Sequence, residues 1–178
     1  HQPGEKWTYG LNTDVLGYLV EVVSGMPLDK FFSTRIFEPL GMKDTYFYLP
    51  REKYSRLATL YTEDSTEHAV VMPEHIGING DFYRDYPNTE GTYFSGGGGL
   101  SSTAYDYAVF MRMLLNGGSI KKKKILSRSA VRAMTSNQIG DLSLSHGDKF
   151  GLGFEIVTEA SSAFSPSAAG SFSWGGMF

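Results

Sequence analysis

Two short stretches near opposite ends of the chain carry the side chains best suited to chemistry: Trp7-Thr8-Tyr9-Gly10 and Ser173-Trp174-Gly175-Gly176-Met177-Phe178. A tyrosine hydroxyl ionises near pH ~10 in water, so it shuttles protons at neutral pH only where a neighbouring cation stabilises the phenolate. Adjacent glycines let a ligand approach the backbone closely, and a backbone N–H beside them can hold developing negative charge. Each stretch also has a plain structural reading, Tyr9 as a packed tyrosine ahead of a helix and Trp174-Gly175-Gly176 as a turn.

Other candidates fail on context. Ser119-Ile120-Lys121-Lys122 fits Ser-x-x-Lys, but it follows Asn116-Gly117-Gly118 and sits in a run of four lysines. A nucleophilic serine with its lysine needs a buried helix N-terminus that strips water from the cation, and a solvated turn gives none. No Gly-x-Ser-x-Gly elbow occurs. The four histidines, His1, His68, His75 and His146, lack metal-ligand spacing, so no metal or other cofactor is expected. The run Gly96 to Gly99 has no following Gly-Lys-Ser or Gly-Lys-Thr and reads as a flexible approach to a helix, not a phosphate loop.

Several elements must position these residues. Asn12 or Thr13 can cap a helix with Val15, Leu16, Leu19, Val20 and Val23 at helical spacing, ending at Ser24-Gly25. A second helix starts at Pro27, places Leu28, Phe31, Phe32 and Ile36 on one face and stops at Pro39-Leu40-Gly41. From Lys43 to Phe94 aromatic-rich pieces alternate with Pro and Gly, which predicts loops with a few short strands. Within it, Phe82-Tyr83-Arg84-Asp85-Tyr86 reads either as a lid over an apolar pocket or as loop packing. Ser102 or Thr103 can cap a helix carrying Ala104, Tyr107, Phe110, Met111 and Leu114, and a shorter helix begins near Ser127 with Ala130, Val131 and Met134. Alternation in Leu152, Phe154 and Ile156 predicts a strand, and a second strand runs from Ser171 into Phe178.

A length of 178 residues bounds the chain to one domain, and 41% apolar residues with 14% aromatics exclude a disordered class. Net charge of -3 gives no electrostatic reason to expect nucleic acid, and no apolar run nears the roughly 18 residues of a membrane span. Absence of cysteine excludes disulfides and thiolate metal sites while leaving the compartment, cytoplasm or periplasm, unknown. Two closing strands make at best a marginal hairpin, and His1-Gln2-Pro3-Gly4-Glu5-Lys6 reads as an inter-element loop, so truncation at both ends is expected.

The ordered blocks Gln2 to Gly17, Val22 to Leu28, Ile36 to Met42, Gly97 to Tyr107, Met113 to Gly118, Ile125 to Ser127, Phe150 to Phe154 and Trp174 to Gly176 together resemble the serine beta-lactamase-related superfamily. The similarity is to the branch that holds class C beta-lactamases, DD-peptidases and family VIII carboxylesterases. It implies an α+β fold, an α/β sandwich of the beta-lactamase/transpeptidase-like type, present here as one partial domain over 1–178. Its parts would be the tyrosine motif and helical pair (1–42), an aromatic loop region (43–94), helices (95–140) and the start of a C-terminal antiparallel sheet (150–178).

The resemblance further implies acyl transfer through a serine ester on a small ester or amide substrate, most simply as a carboxylesterase. Tyr9 takes the family's tyrosine position as proton shuttle, and the backbone N–H of Met177 falls where the family places one oxyanion donor. Trp174, Gly175 and Gly176 stand where lactamases and penicillin-binding proteins carry Lys-Thr-Gly, so the cation that recognises a substrate carboxylate is replaced. Tyr93 and Phe94 are expected to line the cleft. Leu11 occupies the place commonly held by asparagine in the lactamase branch, and Asn12, one place later, reads as a helix cap. Both departures favour an esterase over an efficient beta-lactamase, and a weak beta-lactamase and a D-amino-acid peptidase stay as competitors within the class. The nucleophile and its lysine would come from residues N-terminal to His1, so the isolated chain is expected to be inactive and to need further segments of its own domain. From another class, a catalytically silent binding or assembly module, with the aromatic loops between Tyr46 and Tyr93 as its contact surface, is the alternative.

Overall fold

Residues 12–106 make one structural unit, and residues 1–11 with 107–176 make the other. The computed structural model describes residues 1–77 and 81–176. No helix among the described residues is long and apolar enough to cross a membrane.

In residues 12–106, helix α1 (Asn12–Ser24) includes Asn12 as its first residue instead of leaving it outside as a cap. The apolar positions Val15, Leu16, Leu19 and Val23 are exposed, and the buried residue is Gly17. A Cβ at Gly17 would lie 2.9 Å from Leu28 Cδ2 and 3.4 Å from Gly96 Cα, so the helix docks at this point through bare backbone. The Glu21 carboxylate then accepts the Leu28 N–H at 2.7 Å, tying α1 to the start of α2 (Leu28–Phe32). A π-turn at Ser33–Phe37 leads into α3 (Glu38–Leu40), and Gly41 at φ 73 closes the stretch in the left-handed conformation that glycine favours. The wide turn shifts the expected buried face: Phe37 is buried and meets the Phe32 ring at 5.9 Å, whereas Ile36 is only half-buried.

The aromatic loop region folds as expected into short pieces. Two hairpins, β1 (Tyr61–Glu63) with β2 (Ala69–Val71) and β3 (His75–Gly77) with β4 (Asp81–Tyr83), lie between 3-10 turns at Arg51–Arg56 and Tyr86–Asn88. Arg84 pairs with Asp85 and donates to the Met72 carbonyl at 2.9 Å, so this part of the 82–86 stretch packs within its own loop. Leu28, Phe37, Leu40, Met42, Phe47 and Met72 are the buried apolar residues of this unit.

Helix α4 (Ala104–Leu115) is capped by Thr103, whose Oγ1 accepts the Asp106 N–H at 3.2 Å. Its buried residues are Asp106, Met113 and Leu114, while the expected Tyr107 and Met111 are exposed. Asp106 displaces them because its carboxylate is committed: Oδ2 accepts the Asp44 N–H at 2.7 Å and the Thr45 hydroxyl at 3.0 Å. A buried carboxylate is tolerable when donors surround it.

Beyond α4, β5 (Ser119–Ile120) and β6 (Lys123–Lys124) form a hairpin whose turn holds Lys121 at φ 44 and Lys122 at φ 67. Both lysines are exposed, so the Ser-x-x-Lys pattern is a solvated turn here. Ser127 caps α5 (Arg128–Met134) by accepting the Ala130 N–H at 3.0 Å. A three-stranded antiparallel sheet follows, β7 (Lys149–Phe150), β8 (Glu155–Ile156) and β9 (Phe172–Ser173), with β8 in the centre. The alternating run Leu152, Phe154, Ile156 is therefore not one strand: a turn closed by Gly151 N–H to Phe154 O at 2.7 Å splits it, with Gly153 at φ 95. Between β8 and β9, Thr158 caps α6 (Glu159–Ser162) in a capping box with Ser161. The second expected strand is regular at Phe172–Ser173 and irregular over 174–176; its last two residues lie outside the described part.

Candidate active site

Trp7 and Tyr9 lie in a stretch without regular secondary structure ahead of α1. Both rings meet Trp174: Tyr9 stacks on it with centroids 6.1 Å apart and planes 27° apart, and Trp7 meets it edge-on at 6.2 Å. Phe150 completes the cluster at 5.0 Å from Trp174 and 5.6 Å from Trp7. The sheet explains the assembly. Phe150 ends β7 opposite Glu155, Glu155 lies opposite Ser173, and Trp174 follows at once. Pairs of this geometry contribute about 0.5–1.5 kcal/mol each beyond their buried area.

Within this cluster Tyr9 is still 71% exposed, so its ring is held on one face and open elsewhere. A Cβ at Gly175 would meet nothing within 4 Å, which leaves space beside the chain after β9. Gly176 is exposed in the same irregular stretch. The expected oxyanion donor at Met177 lies outside the described residues. The arrangement offers a phenol hydroxyl, an indole face beside it, and an uncrowded backbone. Among the described residues no group of three or more His, Asp or Glu side chains could hold a metal ion.

Tyr93 and Phe94 belong to residues 12–106. Phe94 packs on Phe47 at 5.3 Å and on Tyr48 at 5.9 Å. Tyr93 keeps its ring exposed although both its polar ends are engaged: its hydroxyl donates to Asp14 Oδ1 at 2.9 Å and its carbonyl accepts from the Tyr48 hydroxyl at 2.7 Å. Asp14 Oδ1 also accepts from Ser95 Oγ at 2.5 Å and from Gly97 N–H at 3.3 Å. Partial burial pushes the Asp14 carboxyl up, but the hydrogen bonds from Ser95, Tyr93 and Gly97 outweigh it and hold the group below its ordinary value. The bond to Asp14 is the main cause that raises the Tyr93 hydroxyl above its ordinary value.

The glycine run is thus a packed element and not the flexible approach its composition predicts. A Cβ at Gly96 would sit 2.3 Å from the Thr13 carbonyl oxygen, and one at Gly97 would sit 2.4 Å from Asp14 Oδ2. Sequence reasoning missed Asp14, Ser95 and Phe150. An acidic residue in a first helical turn reads only as a complement to the helix dipole, and nothing local announces donors 79, 81 and 83 positions away.

The mixed helices and antiparallel strands are those of the beta-lactamase/transpeptidase-like α+β fold, of which the chain covers a part. The sequence profile described as Beta-lactamase matches residues 1–178, and the chain belongs to that family. It is similar to Protein Rv1367c of Mycobacterium tuberculosis (strain ATCC 25618 / H37Rv), with 34% identity over 100% of this chain and 45% of that protein. A Salmonella typhi protein, provisionally named a D-alanyl-D-alanine carboxypeptidase, is 29% identical over 90% of this chain and 37% of its own length. Among solved structures, EstCE1, described as a hydrolase with promiscuous acyltransferase activity, superposes with a TM-score of 0.76 at 26% identity, covering 96% of this chain and 45% of that one. A beta-lactamase/D-alanine carboxypeptidase from Pseudomonas syringae gives a TM-score of 0.60 at 20% identity over 89% of this chain and 38% of that one, a likeness of fold. The chain thus spans less than half the length of these relatives.

Proposed function

We propose that the protein carrying this chain is a serine hydrolase that cleaves carboxylic esters through an acyl-serine, with Tyr9 as its proton shuttle. The observation that carries the reading is the stack of Tyr9 on Trp174, which sets the one candidate base against an apolar indole where the lactamase branch has a cation. In the first half-reaction a serine hydroxyl adds to the ester carbonyl as its proton passes to the Tyr9 oxygen. The tetrahedral oxyanion collapses and the departing alkoxide takes that proton as the alcohol. Water then repeats the sequence on the acyl-serine, giving the acid and free enzyme. The backbone N–H of Met177 would hold the oxyanion together with the serine's own N–H, a donor of that kind being worth roughly 3 kcal/mol in the transition state. Hydrolysis and acyl transfer, both in the description of EstCE1, are two fates of such an acyl-enzyme, which supports the reading.

The serine and its lysine are assigned to a segment of the protein other than residues 1–178, whose one Ser-x-x-Lys is the lysine hairpin. The exposed apolar face of α1 supports this, since Val15, Leu16, Leu19 and Val23 await a covering element. A second reading, a D-alanyl peptidase or beta-lactamase, is favoured by the name of the Salmonella relative and by the family.

The test uses the full-length protein with short-chain nitrophenyl esters, nitrocefin and a D-Ala-D-Ala peptide, and intact mass after a fluorophosphonate. One adduct with ester turnover is expected. Absence of any adduct overturns the serine mechanism, and preference for nitrocefin or the peptide transfers the assignment to the second reading.

A further inference from the structure

We infer that the lysine hairpin β5–β6 is a docking surface for the anionic headgroups of a phospholipid membrane, holding the protein at a bilayer surface without spanning it. The inference is independent of the hydrolase reading above.

Charge is spread unevenly along the chain. Arg112, Lys121 to Lys124, Arg128 and Arg132 are seven of its 16 cations, and none of its 19 carboxylates falls between Tyr107 and Gly140. A chain of net charge -3 thus contains a segment of charge +7. All seven side chains are exposed, and among the described residues none is paired with a carboxylate.

The hairpin is built to present this charge. Its base is fixed, because the Gly118 carbonyl accepts the N–H groups of Ile125 at 2.9 Å and Leu126 at 3.0 Å, and Ile120 is buried. Its tip holds Lys121 at φ 44 and Lys122 at φ 67, where Asn-Gly would make the same tight turn at lower steric cost. Two lysines kept there against the preference of the backbone point to a use for their charges. Arg128 extends the patch at the foot of the hairpin, since a Cβ at Gly117 would lie 3.0 Å from its Cγ, and Arg132 follows one turn along α5.

The surroundings select the partner. No aromatic residue lies between Phe110 and Phe150, so nothing in this segment can stack on bases, and a two-residue tip is convex where single-stranded nucleic acid takes a groove. Lysines act as compact point charges, suited to many headgroups at once and not to the bidentate grip that arginine gives one phosphate. Leu115, 74% exposed at the end of α4 that leads into the hairpin, adds an apolar side chain for the headgroup boundary. A plane of fixed negative charge over an apolar layer uses all of these features.

The test measures flotation of the full-length protein with vesicles of phosphatidylcholine alone or with about one-third phosphatidylglycerol, at about 0.1 M and about 0.5 M NaCl, beside its affinity for a short DNA duplex. The variants are K123Q/K124Q and K121N/K122G, the second of which gives the turn its favoured residues and should melt at or above the wild-type temperature. Flotation with anionic vesicles alone, lost at the higher salt, is expected, and each double variant should bind about 10–30-fold more weakly, near 5-fold per lysine. Equal flotation with neutral vesicles, or wild-type binding by folded K121N/K122G, overturns the inference. Tighter binding to the duplex than to vesicles also overturns it and transfers the patch to nucleic acid. Aggregation of the variants of a protein that floats with neither vesicle overturns it in favour of lysines that guard an exposed hairpin edge.

Discussion

Tyr9 and Trp174 share a stacked contact, centroids 6.1 Å apart, although one lies before the first helix and the other after the last strand. Removing only the tyrosine hydroxyl should leave that stack in place. Y9F is therefore expected to keep the wild-type melting temperature while ester kcat falls by about 10²–10⁴-fold, the span attributed to a positioned acid-base group. Equal activity in Y9F would assign the proton transfer elsewhere.

Trp174→Ala removes the centre of the aromatic cluster and should cost about 3–5 kcal/mol at most, less for its partial exposure, whereas Trp174→Phe retains most ring contacts. Denaturant midpoints of the two variants check the order, and a Phe variant as unstable as Ala would refute the packing account.

Gly96 and Gly98 form an internal control. An alanine methyl at Gly96 would meet the Thr13 carbonyl at 2.3 Å, while at Gly98 it would meet nothing within 4 Å. G96A should lose about 1–3 kcal/mol by overpacking, and G98A should stay within about 0.5 kcal/mol of wild type. Equal melting temperatures for the two would show that the loop does not rest on α1.

The Asp44 carboxyl is held at about 2 by the Arg56 guanidinium and then by the Lys53 ammonium. With the folded value below the ordinary 3.8, its stabilising contribution is complete above pH ~4 and is lost as pH falls toward 2. D44N should therefore melt below wild type at neutral pH, with the gap closing across that acidic window. A gap independent of pH would mean that the carboxylate charge is not what the two cations hold.

Much of this frame was legible in local signals. Thr103 and Ser127 cap the helices their spacing predicts, and the lysine run after Asn116-Gly117-Gly118 turns at Lys121 and Lys122. Failures came where a contact from elsewhere decided. Leu152, Phe154 and Ile156 alternate, yet Gly151 packs so closely that a Cβ would lie 1.9 Å from the Met134 carbonyl, and the chain turns there. Tyr107 lost its expected burial to Asp106 because Asp44 and Thr45 supply donors no helical period reveals. At the candidate site, Tyr9 and Trp174 were singled out from their motifs though not their ring contact; the Asp14 hydrogen bonds were not legible, since their donors are remote in sequence.

The π-turn at Ser33–Phe37 bears on how this segment could change in length. It carries one residue more than an ordinary turn, which is how Phe32 and Phe37, five apart, come to touch. It also widens the backbone just ahead of Pro39, whose ring and missing N–H would otherwise crowd a regular turn. Losing a single residue there would return the turn to ordinary α geometry and leave Phe37 and Leu40 on the same side relative to Leu28, because the wide turn already absorbs the extra residue. A one-residue deletion within the turn would thus keep both halves on one core, whereas one in the regular helix beside it would turn them about 100° apart.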